Sequence, residues 1–149
     1  MIALIQRTTR AQVTVEGAQV ATIGRGVLAL VGIEAGDAAA QAGQLLERLL
    51  HYRIFADEGG KMNLDLAQIG GELLLVPQFT LVADTHKGTR PGFSRGAPPA
   101  VARELFEQLV ATARLRYPRV ASGVFGADMQ VELVNDGPVT FWLQSGSAA

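Results

Sequence analysis

The sequence predicts a single α/β domain, and three observations predict it. Short stretches rich in Val, Ile, Leu and Thr recur between Gly, Pro, Asn and Asp, as strands do between turns. Two longer stretches, 38–51 and 98–117, repeat apolar residues at helical spacing instead. The chain has 149 residues, a length that suits one domain and buries a sizeable core.

Taken in order, 2–9 and 12–15 read as strands, and Glu16-Gly17 turns the chain into a third at 18–23. Gly24-Arg25-Gly26 separates these from the unbroken apolar run 27–33, which reads as a strand covered on both faces. That glycine turn lacks the rest of a dinucleotide fingerprint, so its use is structural. Asp37 is a fitting N-cap for a helix whose apolar stripe is Ala38, Ala42, Leu45, Leu46, Leu49 and Leu50. His51 closes that helix, where the dipole favours a cation and a capping role suffices. Residues 53–56 form a short strand running into the turn Asp57-Glu58-Gly59-Gly60. Asp57, Glu58 and Asp65 do not have the spacing of a Ca²⁺ loop, so a solvated turn is the better account. A further apolar strand covers 72–76.

Residues 84–97 make a long Gly- and Pro-containing loop, and long ordered loops tend to be functional. Pro98 and Pro99 open a second helix with the stripe Val101, Leu105, Phe106, Leu109, Val110 and Ala113, and Pro118 ends it. Two strands, 129–134 and 139–143, follow, joined by the turn residues Asn135-Asp136-Gly137-Pro138. The small polar residues 145–149 read as a frayed tail.

Composition removes several classes of function. No apolar run reaches the length of a membrane span. There is no cysteine, hence no disulfide, thiol nucleophile or thiolate metal site, and with no export signal the cytosol is the expected location. A net charge of −1 argues against a broad electrostatic grip on nucleic acid. Even so, His86, Lys87, Arg90 and Arg95 crowd one loop that carries no acid after Asp84, either as a solvated loop or as a patch for the phosphates of an RNA end.

Val76-Pro77-Gln78-Phe79-Thr80-Leu81 with Ala83-Asp84-Thr85 resembles the S-Q-F-T-L signature of the D-aminoacyl-tRNA deacylases. The Asn135-x-Gly137-Pro138-Val139-Thr140 stretch resembles that family's second signature. Further matches are Ile5-Gln6-Arg7, Arg53-Ile54-Phe55, Lys61-Met62-Asn63-Leu64, Arg90-Pro91-x-Phe93-Ser94-x-Gly96-Ala97 and Gly123-x-Phe125-Gly126-Ala127-x-Met129. One register holds over residues 1–144, which the resemblance implies to be the deacylase domain. Position 77 departs from it, with Pro where the family has Ser.

The resemblance implies a mixed, strongly curved, barrel-like sheet with two main helices outside, and hydrolysis of D-aminoacyl-tRNA to free D-amino acid and tRNA without cofactor or metal. It implies a homodimer in which a cis Gly137-Pro138 enters the partner's site, where its carbonyls meet an L side chain and spare a D one. Glycine offers nothing to exclude, so glycyl-tRNA is expected to pass. Phe125 and Met129 would line the pocket for the terminal adenosine, Ala97 would leave room for the base, and Lys87, Arg90 and Arg95 would hold acceptor-end phosphates.

The residues themselves leave the chemistry open. The histidines fit no zinc motif, and no serine-hydrolase elbow is present. Thr80 is the only hydroxyl in the 77–81 stretch, with no base beside it in sequence. An ester already activated by its ribose instead asks for an oriented water and main-chain donors at the developing oxyanion. Pro77 has no N–H to give, which leaves those of Gln78 and Phe79 as the candidates. A small-ester hydrolase using Thr80 and a non-catalytic RNA-end-binding module remain the alternatives.

Overall fold

The computed structural model describes residues 1–146. Its centre is one six-stranded mixed sheet. The long first strand β1 (Ile2–Val15) is the spine, pairing antiparallel with β2 (Ala18–Ile23), β3 (Gly26–Gly32) and the last strand β8 (Met129–Gln144). Beyond β3 the order continues, in parallel, through β6 (Glu72–Pro77) to β7 (Val120–Ser122). A small hairpin, β4 (Phe55–Ala56) with β5 (Met62–Leu64), lies apart.

Alternation along the central strands divides the core in two. Val27, Ala29 and Val31 of β3, with Leu73 and Leu75 of β6, face the helices α1 (Ala39–His51) and α3 (Pro99–Arg116). Leu28, Leu74 and Val76 point the other way, onto Ala11, Val13, Ala21 and Ile23, inside a nearly closed barrel. The helices lie outside, burying Leu45, Leu46, Leu49 and Leu50 from α1 and Leu105, Phe106, Leu109 and Val110 from α3. The expected fold class therefore holds. A third, short helix α2 (Leu66–Ile69) is added, with Asp65 accepting from Gln68 N at 3.0 Å and Gly70 left-handed at φ 61°.

Four expectations are corrected. Residues 2–15 form one strand, running through the expected break at 10–11, with register irregularities against β8 around Thr8. Residues 135–138 are not a hairpin turn. β8 stays on β1 throughout, and Asn135-Asp136-Gly137-Pro138 bulge out where two steps along β1, Gln6 to Thr8, face five along β8, Thr140 to Asn135. Asp37 does not cap α1; its carboxylate accepts from Glu34 N (2.7 Å) and from the Met1 ammonium (2.8 Å), and the cap is Ala38. Ser145 is not frayed: it is buried, its N–H donates to Met1 O at 2.9 Å and its hydroxyl to Gln41 O at 2.8 Å. The rest of the expected tail, 147–149, lies outside the described residues.

Among smaller expectations, the 57–60 turn is tied by Asp57, held below the ordinary carboxylate range by Asn63 first and then by the Lys61 and Gly59 amides. His51 pairs with Glu47 and Asp65 at the end of α1. The glycine turn at 24–26 is structural: a Cβ on Gly26 would sit 1.8 Å from Glu72 O in the β3–β6 ladder. Gly26→Ala is therefore expected to destabilise the protein by at least about 2 kcal/mol, read as a lower urea midpoint at unchanged slope; an unshifted midpoint would contradict this packing.

Candidate functional site

Where β3 and β6 end, the structure opens into a cavity of about 650 Å³. Its walls come from Val31 and Ile33, from Val76-Pro77-Gln78-Phe79 with Val82, from Phe93, Gly96 and Ala97, from Pro99, Ala102 and Phe106, and from Phe125, Gly126, Ala127 and Met129 with Val131. Gln78 is the one lining residue with a polar side chain, and none carries a charge. The curved sheet makes this convergence: closing the barrel carries the start of β8 round to β6, so a Cβ at Gly123 would lie 2.9 Å from Met129 Sδ and 3.4 Å from Pro77 Cδ.

The corner where β6 ends is a main-chain construction. Leu73 N–H donates to Arg119 O on the β7 side and Gln78 N–H donates to Val31 O on the β3 side, at 2.9 and 2.8 Å. Strand alternation then turns the nitrogen of residue 77 toward β7, whose pairing ends at Leu75–Ser122. Proline fits there because no ladder bond is asked of it. The same bond corrects one expectation, since the Gln78 N–H is spent on Val31 and cannot serve a ligand. After it the chain tightens into a 3₁₀ turn, Phe79–Val82, closed by Leu81 N–H to Gln78 O at 3.3 Å. The Phe79 and Thr80 N–H groups stand at the start of that turn and make no hydrogen bond among the described residues.

Thr80 is a turn residue, not a strand residue, and it is exposed outside the cavity wall. Its hydroxyl accepts from Gln78 Nε2, and an amide is no base. Phe79 is 65% exposed and stacks on Phe93 at 5.3 Å, so its side chain forms the rim while its N–H faces the opening turn.

Phe125 is clasped between Phe106, at 6.3 Å between ring centroids, and the Arg103 guanidinium, 5.1 Å from its ring. Ala97 is anchored by its N–H to Ile33 O (3.0 Å), which ties the 93–97 loop over the end of β3. The 84–97 loop is more ordered than its composition indicates. Asp84 and Gly92 exchange both backbone bonds, at 2.7 and 2.9 Å, and Glu34 bridges to Gly96. Its cations are not equally free. The His86 backbone N–H, then its ring, hold the Asp84 carboxyl below its ordinary pKa. Arg95 faces Glu34 at 3.7 Å, whereas Lys87 and Arg90 are exposed and form no ion pair among the described residues. Burial raises the Glu34 carboxyl, but the Met1 ammonium, Gln144 and Arg95 outweigh it and hold its pKa low.

Gly137 and Pro138 are not brought to this cavity. Their peptide bond is cis, both are exposed, and they lie beside Gln6 and Thr8 on β1, whose β3 partners are Leu28 and Gly26. Val31, paired with Pro77, is three to five residues further along β3, which is about 10–17 Å at strand spacing. Sequence reasoning gave Arg7 no role of its own. Its Nε donates to Asp136 O at 3.0 Å and its Nη1 to Ile54 O at 2.8 Å, fixing the bulge from below. Asn135 adds an acceptor for Val139 N–H at 3.0 Å. No group of three His, Asp or Glu side chains among the described residues could hold a metal ion. No helix among them is long and apolar enough to cross a membrane.

Residues 4–144 match the model of a family described as D-Tyr-tRNA(Tyr) deacylase. A D-aminoacyl-tRNA deacylase of Nitrosococcus oceani is 62% identical over 97% of this chain and 93% of its own, and one of Azotobacter vinelandii is 63% identical over 97% and 100%. Among solved structures, the c-Myc DNA Unwinding Element Binding Protein superposes with a TM-score of 0.93 at 38% identity over 99% of this chain and 100% of its own. A probable eukaryotic D-amino acid tRNA deacylase shares the fold, with a TM-score of 0.80 at 19% identity over 95% and 97%.

Arg7→Ala is expected to lower stability by about 1–3 kcal/mol, the cost of stranding partly buried carbonyls. It should also speed hydrogen exchange at the Val139 amide; unchanged exchange there would show that Arg7 does not hold the bulge.

Proposed function

This chain belongs to the D-Tyr-tRNA(Tyr) deacylase family, and we propose that it hydrolyses D-aminoacyl-tRNA by main-chain catalysis, using residues 1–144 as the deacylase domain. The observation that carries the reading is the unspent Phe79 N–H beside an uncharged cavity lined by Pro77, Gln78, Ala97, Phe125 and Met129. The terminal adenosine enters against Phe125 and Met129, with Ala97 leaving room for the base. The ester carbonyl points at the start of the 79–82 turn.

Water attacks that carbonyl, and the Phe79 N–H, with the Thr80 N–H next to it, receives the oxyanion. The low dielectric of an apolar cavity strengthens such donors. The vicinal ribose hydroxyl is the substrate's own polar group near the water, and no ionisable side chain is required of the protein. Gln78 contributes by position, through its bond to Val31 and its amide on Thr80. As the oxyanion re-forms the carbonyl, the bond to the ribose oxygen breaks and its electron pair leaves on that oxygen, which takes up the attacking water's proton by way of the vicinal hydroxyl, so that amino acid and tRNA are released.

Chiral selection uses the Gly137-Pro138 bulge of a second copy. The bulge is exposed and far from its own cavity, so a homodimer that inserts it into the partner's site supplies the missing wall. Its carbonyls would obstruct an L side chain. Lys87 and Arg90, with Arg95, attract the acceptor-end phosphates, and the enzyme acts in the cytosol, where charged tRNA is found.

Incubation with D-tyrosyl-tRNA and L-tyrosyl-tRNA tests the reading. The D ester is expected to be cleaved about 100-fold faster or more, equivalent to about 3 kcal/mol of clash; equal survival of both esters would leave only a binding module. Glycyl-tRNA should be cleaved within about tenfold of the D rate, and a background rate would remove the steric account of selection. Thr80→Val is expected to keep at least about a third of kcat/KM, against losses of many thousandfold when a true nucleophile is deleted.

A further inference from the structure

We propose that Arg103 is the residue that grips the phosphodiester of the terminal nucleotide as the RNA leaves the cavity, a role that rests on the deacylase reading above. The cavity wall carries no charge, yet an adenosine seated in it must bring a 5′-phosphate past the rim. Arg103, on the second turn of α3, stands at that rim. Its guanidinium lies 5.1 Å from the ring of Phe125, and a Cβ added at Gly126 would approach its Nη2 to 3.2 Å. The Phe125-Gly126 backbone, left-handed at Gly126 (φ 78°), thus runs directly beneath the planar cation.

Among the described residues this cation forms one ion pair, to Glu107 on the next turn, 3.7 Å long with both side chains more than half exposed, a class of contact worth little in water. Stacking on Phe125 removes rotamer freedom before any ligand arrives, so less is lost on binding. A guanidinium resting over an aromatic ring can still offer two parallel donors, which suit a phosphate better than an ammonium does. By contrast Arg95, in the 84–97 loop, already faces Glu34. Arg103 therefore fixes the direction in which the RNA exits, while the ester is held from within.

The test compares wild type, R103Q and R103K on two esters, D-tyrosyl-tRNA and 3′-O-(D-tyrosyl)adenosine, which has no phosphate. For D-tyrosyl-tRNA, R103Q is expected to raise KM about tenfold at unchanged kcat, with the log KM against log salt slope smaller by about 0.7, the value for one contact to a single strand. R103K should recover the slope and only part of the KM. The phosphate-free ester should not distinguish the three proteins. An equal loss on both esters, or a lower melting temperature accounting for the loss, would make Arg103 a clamp on the 123–127 loop and overturn the proposal. No change on either ester would overturn it too. A wild-type protein inert toward both esters would instead overturn the deacylase reading itself, and this inference with it.

Discussion

The hydrogen bond from Gln78 N–H to Val31 O is the last rung of the parallel β3–β6 ladder, and the site depends on where that rung falls. It ends the strand, sets the direction of the 3₁₀ turn that follows, and leaves the next two amides without partners among the described residues. One residue earlier, a proline would have removed a ladder bond on the β3 side; one residue later it would have removed the Gln78 rung itself, and two residues later the Phe79 donor. At 77 it faces the side where β7 has already ended. The departure from the family's serine therefore falls where the backbone tolerates proline, and the residue helps hold Val76 extended into the turn.

Much of this architecture was legible because alternation and helical spacing are strong local signals. The stripe from Ala42 to Leu50 and the run 27–32 stand where the pattern puts them. What escaped was tertiary in origin. β5, β7 and α2 are too short to announce themselves and exist because neighbours pair with or cap them. The continuity of β1 and β8 was hidden by their shared irregularity, where turn chemistry in the sequence serves a bulge between strands that never part. Asp37 has good capping chemistry and uses it on the Glu34 amide instead.

The site divides along the same line. Signatures far apart in sequence converge because Pro77, Ala97, Phe125 and Met129 sit at one end of a barrel that closes. That the Gln78 amide is spent could not be read from its motif, since only the register with Val31 decides it. Arg103 belongs to no motif at all and looks like an ordinary solvent-facing helix residue until Phe125 is placed beneath it.

An uncharged cavity suits the hydrolysis of an already activated ester. Aminoacyl esters need little help from acid or base, so a titrating side chain would add a desolvation cost and a pH dependence for small gain. A fixed amide loses nothing when water is excluded, and its pull on a developing oxyanion grows as the local dielectric falls. The cost is that such a cavity cannot hold a polyanionic RNA by itself. Charge must then be met outside it, at a rim where a cation keeps its hydration on one face and rests on an aromatic ring on the other. On the proposed mechanism, a wall without charge and an edge with an arginine over an aromatic ring are two consequences of one choice, to stabilise the transition state with peptide groups.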